Sequence, residues 1–281
     1  MIGYHICKLA NRLFPLPTHP FNLNNDGIMS YSKWQYNKGS DTIKFFVGYA
    51  GSAEAMFKDK VVVDIGCGAG GKTLYYASQG VKRIYGVEVL QKYETEANSL
   101  ANELGLSDKF EFIATDASQT PFETGTIDTI IINDAIEHVD DPGAVITECM
   151  RILAPGGKLY MNFPPYYHPY GAHLSDAIGM PWVHVFFSDA TLIKVYKNAV
   201  KNLPDGKDRI EFRISHKDGK PYFSYINKIT VKQFRHIVRR LGHKPAYYRE
   251  VPLRSFFAPL ARLPIFKEMF VKMVVCVIEK K

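Results

Sequence analysis

The sequence predicts an α/β protein built on a doubly wound, mostly parallel sheet. Short apolar runs alternate with stretches of helical period between Val61 and Phe163, the run Val61–Ile65 ends in a cluster of glycines, and the acidic Glu88 closes the next run. Continuous apolar runs bounded by turn residues mark strands buried on both faces, the condition of a parallel sheet between helical layers. Strands alternating with helices at this spacing imply right-handed crossovers.

Taken in order, Val61–Ile65 is the first strand, Gly70 to Gln79 the first crossover helix and Arg83 to Val89 the second strand. Tyr93, Ala97, Leu100, Ala101 and Leu104 recur at helical spacing until Gly105 stops the pattern. Phe110 to Ala114 and Ile127 to Asn133 follow as the third and fourth strands. Asp141 as cap and Pro142 in the first helical position open the next helix, with Val145, Cys149 and Ile152 as its inner stripe. Pro155-Gly156-Gly157 turns the chain into the fifth strand, Lys158 to Phe163. Thr230-x-x-Gln233 reads as a capping box before Val231, Phe234, Ile237 and Leu241, with Gly242 behind them. Tyr247 to Val251 and Val271 to Ile278 supply two closing strands, seven in all.

Four segments are expected: residues 1–58 as an N-terminal lid or substrate segment, 59–163 as the ligand-binding core, 164–228 as an insertion after the fifth strand, and 229–281 as the closing helix and strands. The insertion is too long for a bare connection. Loops beyond the carboxyl ends of parallel strands surround the ligand crevice, so the insertion is predicted to be a substrate cap.

Of the 281 residues, 46% are hydrophobic and 22% charged, the balance of an ordinary globular protein. The net charge of +7 is uneven: Lys60 to Lys158 holds 8 basic and 15 acidic residues, and Lys197 to Lys244 holds 13 and 4. A basic segment beside an acidic core points to an anionic substrate, an acidic membrane surface or nucleic acid, or is simply a solvated Lys-rich face. The cysteines Cys7, Cys67, Cys149 and Cys276 lack Cys-x-x-Cys spacing, which argues against a zinc knuckle or a disulfide framework. No stretch approaches ~18 apolar residues, and the start lacks the order of a signal peptide. The expected location is cytoplasmic.

Asp64-Ile-Gly66-Cys-Gly68-Ala-Gly70-Gly71 joins the first strand to the first helix, where the chain must turn sharply and let a ligand approach its backbone. Only glycine lacks the Cβ that would block that approach. Glu88, 20 residues after Gly68, is placed to accept hydrogen bonds from two ribose hydroxyls. Together these point to an adenosine-containing ligand. Gly66, Gly68 and Gly71 also satisfy the dinucleotide spacing, so the motif leaves a nicotinamide cofactor open.

Three further features are Asp64 two residues before the first glycine, Asp116 just after the third strand, and Asn133-Asp134 ending the fourth. With them, the stretch from Lys60 to Phe163 resembles the Rossmann-like class I S-adenosylmethionine-dependent methyltransferases. Ile136-Glu-His-Val-Asp-Asp-Pro142 and Leu153-Ala-Pro-Gly-Gly157 are similar to phrases of the ubiquinone-biosynthesis members, the methyltransferase type 11 group. The resemblance implies S-adenosylmethionine as cofactor, held by Asp64, Gly66, Gly68, Gly70, Glu88, Val89, Asp116, Ala117 and Asn133. It also places Asp134 near the methionine end.

Amino-group methyltransferases commonly carry Asn/Asp-Pro-Pro-aromatic at the end of the fourth strand; here that place is Asn133-Asp-Ala-Ile136, while Phe163-Pro-Pro-Tyr166 follows the fifth. O-methylation of a small molecule, a phenol, sugar or lipid head group, is therefore favoured over nucleic-acid methylation, with a noncatalytic or NAD-binding protein as the third reading. The cap stretches Pro164 to His173 and Pro181 to His184 are dense in groups that stack on a ring or move a proton. A histidine positioned as general base fits an oxygen acceptor, His173 first, then His168 or His184. The same histidines could equally pack the cap. No metal is assigned; the alternative ligand sets are the three cap histidines, or Asp134, Glu137 and His138, which resemble the acidic-acidic-His cluster of ubiquinone-type enzymes.

Ile2, Ile6, Leu9 and Leu13 lie near one helical face with Lys8 and Arg12 elsewhere, and Val251 to Phe270 mixes apolar residues with Arg254, Arg262 and Lys267. Peripheral membrane contact and a lipidic substrate fit these ends. A lid drawn from Tyr31, Trp34 or Tyr36 fits the first segment equally.

Overall fold

The computed structural model describes residues 2–254, 259 and 267–281. Arg262 and most of the apolar stretch around it lie outside the described residues. By internal contacts the chain divides into two compact units: one of residues 30–163, 232–251 and 273–281, the other of residues 1–29, 164–231 and 252–272.

The first unit carries a seven-stranded sheet. Its strands are β1 (Val61–Ile65), β2 (Arg83–Glu88), β3 (Phe110–Ala114), β4 (Ile127–Asn133), β5 (Leu153–Phe163), β8 (Tyr247–Pro252) and β9 (Val271–Glu279) in the order β3-β2-β1-β4-β5-β9-β8. The first five are parallel and β9 is antiparallel to β5. The chain thus winds outward from β1 to β3 on one side and resumes at β4 on the other. That reversal puts a crevice at the carboxyl ends of β1 and β4, where open sheets of this kind bind ligands.

Four strand boundaries differ from the sequence expectation, those of β8 and β9 only by one added residue. The second strand stops at Glu88, leaving Val89 outside it, and the fifth begins at Leu153 instead of Lys158. Pairing of Ile127 with Leu153 and of Thr129 with Lys158 leaves Ala154–Gly157 bulged, with Gly156 at φ 76°. The Gly156 N–H donates to the Lys280 carbonyl, so the Pro-Gly-Gly turn becomes an irregularity within a strand.

Helices α3 (Tyr31–Ile43), α4 (Val47–Ala50), α5 (Ala53–Phe57), α6 (Gly71–Ala77), α7 (Glu94–Glu103), α8 (Pro142–Ile152) and α12 (Val231–Arg240) belong to this unit almost entirely. Asp141 caps α8 by accepting the N–H groups of Gly143 and Ala144, with Pro142 in its first turn. Ile43, Phe46, Met56 and Phe57 share one core with Val62, Leu74, Tyr76 and Tyr160. Residues 30–58 are therefore built into the sheet-bearing unit.

The second unit contains α1 (Ile2–Asn11), α2 (Pro20–Asn25), α9 (Val183–Phe186), α10 (Asp189–Val200), α11 (Gly206–Arg213) and the hairpin β6 (Ile214–Lys217) and β7 (Lys220–Phe223). Its core joins Cys7, Ile178, Leu192, Tyr196, Ile214 and Phe223. Beside that core lies a buried ion set. Arg209 Nη1 donates to Asp176 Oδ2 at 3.1 Å, Arg213 Nη2 stands 3.5 Å from Asp176 Oδ1, and Tyr196 donates to Asp176 Oδ2 at 2.7 Å. Among the described residues no helix is long and apolar enough to cross a membrane.

Candidate functional site

The turn after β1 takes the chain through left-handed backbone at three glycines: Gly66, Gly68 and Gly70 have φ of 73°, 56° and 74°. A Cβ at Gly66 would stand 2.4 Å from that of Ala135, and one at Gly70 2.8 Å from that of Ala97. Both are closer than carbon atoms approach, so those glycines are required for packing as well as for conformation. A Cβ at Gly68 would meet Gln35 Nε2 at 2.8 Å and the Tyr31 hydroxyl at 3.3 Å, which shows α3 lying against the loop.

Gln35 ties the two together. Its Nε2 donates to the Cys67 carbonyl at 3.2 Å, and its Oε1 accepts the Gly71 N–H at 3.3 Å. Of the aromatic residues expected as a lid, Tyr31 faces the loop and its ring meets that of Tyr93 edge-on at 5.7 Å. Trp34 flanks Tyr31, and Tyr36 packs on Tyr75.

Asp64 is buried, and its Oδ2 accepts the Thr73 hydroxyl at 2.6 Å. Burial pushes its carboxyl up to about 7, against the pull of the Thr73 hydrogen bond and the Lys72 charge. Glu88, half-buried, accepts the Gly68 N–H on Oε2 and the Leu90 N–H on Oε1, each at 3.0 Å. Its carboxylate closes the glycine loop, and each oxygen keeps a second lone pair for a ligand hydroxyl. Val89 is exposed beside it, and Asp116 is exposed after β3 with Ala117 half-buried. The Ser118 side chain and backbone N–H both donate to Asp116 Oδ1 and hold its carboxyl below the ordinary value.

At the end of β4 the side-chain oxygen of Asn133 accepts the Thr42 hydroxyl at 2.8 Å and a hydrogen bond from Lys72 Nζ. The same Nζ lies 3.3 Å from Asp134 Oδ2. Asp134 is exposed and takes φ 51°; Glu137 is buried, and burial first, then the Asp134 charge, holds its carboxyl well above the usual range.

The residues Asp64, Gly66, Gly68, Gly70, Glu88, Asp116, Asn133 and Asp134 thus stand at the carboxyl ends of β1 to β4 or in the turns that follow them. They fit an adenosine-bearing ligand: a loop with glycine at every second position from Gly66 to Gly70 and an acid at the end of β2. Gln35, Thr42, Lys72 and Thr73 were not anticipated. Lys72 and Thr73 follow Gly71 directly, so their place in the first turn of the helix was legible; Gln35 and Thr42 arrive from a distant segment with no local signature.

In the second unit, His168 Nδ1 accepts the Tyr170 N–H at 3.2 Å, and burial, with the nearby His184 and Lys272 charges, lowers its pKa to about 4. His184 packs on the Tyr166 ring with centroids 4.8 Å apart and is likewise lowered to about 4, mainly by burial. His173 has φ 50° and donates its N–H to the Tyr170 carbonyl at 2.9 Å. The three cap histidines do not bring their ring nitrogens together within 4.8 Å, so they form no ligand set.

Residues 63–161 match the family described as Methyltransferase domain. A probable tocopherol O-methyltransferase, chloroplastic, from Oryza sativa subsp. japonica is 37% identical over 106 residues, 38% of this chain and 29% of that protein. A ubiquinone biosynthesis O-methyltransferase from Ralstonia nicotianae is 31% identical over 124 residues, 44% of this chain and 50% of that one. The chain thus spans at most half the length of these curated relatives. Among solved structures, geranyl diphosphate C-methyltransferase from Streptomyces coelicolor A3(2) superposes with a TM-score of 0.55 at 16% identity, covering 86% of this chain and 79% of that one. That likeness shows the fold.

Proposed function

Because residues 63–161 belong to the methyltransferase domain family, we propose that this protein is an S-adenosylmethionine-dependent methyltransferase acting on the oxygen of a small molecule. The observation that carries the reading is the Glu88 carboxylate held on the Gly68 N–H of a three-glycine turn, at the point where the strand order reverses. S-adenosylmethionine supplies an electrophilic methyl group on a sulfonium. The chain's part is to hold and orient it: Glu88 takes the ribose hydroxyls, Val89 and Ala117 flank the adenine with Asp116 at its edge, and Asp64, Gly66, Gly68 and Gly70 shape the loop. Lys72 and Asp134, a cation and an anion side by side, match the two charges of an α-amino acid end, with Asn133 holding the lysine.

On this reading a cap histidine, His173 before His168 or His184, removes the acceptor's proton as its oxygen attacks. The O-methyltransferases among the relatives support an oxygen acceptor of small-molecule type over the nucleic-acid reading. The four buried, unpaired cysteines suit the reducing cytoplasm, which we take as the location. Calorimetric titration with S-adenosylmethionine, its demethylated product and NAD tests the cofactor. Binding of the first two without the third is expected, and binding of NAD alone would overturn the reading. A screen of phenols, sugars and lipid head groups with a labelled methyl donor then identifies the acceptor.

A further inference from the structure

The charge of this protein is segregated by unit. Residues 1–29, 164–231 and 252–272 hold 15 basic and 8 acidic residues, and the sheet-bearing unit holds 20 of each. The whole net charge of +7 therefore belongs to the unit that lacks the glycine loop. Exposed apolar side chains are segregated in the same way. Among the described residues, every exposed large hydrophobic side chain except Val47 and Val89 belongs to that basic unit.

Helix α1 concentrates both properties. It docks on its own unit through Gly3, where a Cβ would lie 3.5 Å from Thr191 Oγ1, through the fully buried Cys7, and through Asn11, whose side chain accepts the Met180 N–H at 3.1 Å. At 100° per residue, Ile2, Ile6 and Leu9 fall within a narrow arc well away from that docked face. They are exposed, and with Leu13 just beyond the helix they range from 53% to 78% accessible. Lys8 and Arg12 are exposed on the flank of this stripe, and residues 2–25 contain no acid. The groove between α1 and α10, lined by Gly3, Tyr4, His5, Ala190, Thr191 and Lys194, carries a further cation of the same unit.

An apolar face left in water costs free energy in proportion to the area that a partner could cover. A helix of 10 residues is too short to span a bilayer but suited to lie in its interface. Cations on the flank of the stripe, in a unit of excess positive charge, would meet anionic head groups while the stripe enters the acyl boundary. A second copy of this chain would instead bring Lys8 and Arg12 of both copies toward one another without an acid in the segment to pair them.

We infer that α1 is a membrane-surface anchor that docks this protein, apolar stripe down, onto bilayers rich in anionic lipid. The inference is independent of the methyl-transfer reading, because vesicle binding is measured without cofactor or acceptor. The full chain should co-sediment with vesicles of phosphatidylcholine mixed with phosphatidylglycerol and not with phosphatidylcholine alone, and high salt should release it. Lys8→Glu with Arg12→Glu should weaken binding by at least about tenfold. Ile6→Gln with Leu9→Gln, both at exposed positions, should abolish it while leaving the melting temperature unchanged. Failure of the natural chain to bind the anionic vesicles, or undiminished binding by the Ile6 and Leu9 variant, overturns the anchor. If light scattering shows a dimer that this variant converts to monomer, with no vesicle binding, the stripe is a contact between copies.

Discussion

The Glu88 carboxylate accepts the Gly68 N–H at 3.0 Å, so the acid at the end of β2 and the middle glycine of the loop after β1 form one structural element. Its second oxygen does the same for Leu90. Replacing Glu88 by Ala leaves two partly buried N–H donors without an acceptor and removes the proposed partner of the ribose. S-adenosylmethionine affinity measured by calorimetry should fall by about 1–3 kcal/mol. An unchanged affinity would place the ribose elsewhere.

Asp64 makes the stability of the sheet-bearing unit depend on pH. Its folded carboxyl titrates at about 7 against an ordinary value of 3.8, so between those values the native chain holds a proton that the unfolded chain has lost. Native excess protonation means that this group's contribution falls as pH rises through that window and levels off above about 7. Asp64→Asn should flatten the decline in urea midpoint over the window. Thr73→Val should steepen it, because the hydroxyl that favours the charged form is gone. Parallel profiles for the natural protein and Asp64→Asn would show that Asp64 titrates in water.

In the other unit Asp176, Arg209 and Arg213 have side chains 0%, 2% and 4% exposed. Removing one partner of a buried ion set strands the rest in a medium that cannot solvate them. Asp176→Ala should therefore cost about 3–5 kcal/mol in chemical denaturation, whereas Lys207→Ala, which breaks an exposed pair with Glu211, should cost under ~1 kcal/mol. A small loss for Asp176→Ala would show that both guanidinium groups reach solvent.

Much of the sheet was legible because strands buried on both faces must be written as unbroken apolar runs, as Val61–Ile65 and Ile127–Asn133 are. The bulge at Ala154–Gly157 was not, since a Pro-Gly-Gly sequence serves a free turn and a strand irregularity alike. The β6–β7 hairpin turns on Asp218-Gly219, both at positive φ, a turn signal that the sequence carries locally. The glycine loop could be found because left-handed backbone and close packing demand glycine at fixed spacing, and Glu88 because it ends the next strand beside that loop. The Gln35 and Thr42 contacts could not, because hydrogen bonds spanning 32 and 91 residues leave no periodic trace. Nor could the lowered proton affinity of His168 and His184, which is set by burial.

Burial sets two of the three candidate bases apart. A base is most effective with a pKa near the working pH, and burial lowers His168 and His184 to about 4, where they bind a proton too weakly to draw one from a hydroxyl. His168 is further committed: with Nδ1 accepting the Tyr170 N–H, its neutral ring carries the proton on Nε2 and offers no second acceptor. His173 is held at φ 50°, in a left-handed conformation that costs a non-glycine residue about 1–2 kcal/mol and is retained where structure or function requires it. His173→Ala should accordingly bind S-adenosylmethionine normally while losing on the order of 10²-fold to 10⁴-fold in turnover, with smaller losses for His168→Ala and His184→Ala. His173→Gly, which accepts the positive φ without strain, should lose turnover equally, separating the imidazole from the backbone. The deficit should shrink as pH approaches the acceptor's own pKa, because an ionised acceptor needs no base. Turnover unaffected at every pH in all three alanine variants would mean that transfer rests on proximity and orientation alone, with the cap histidines serving only to pack the unit that holds them.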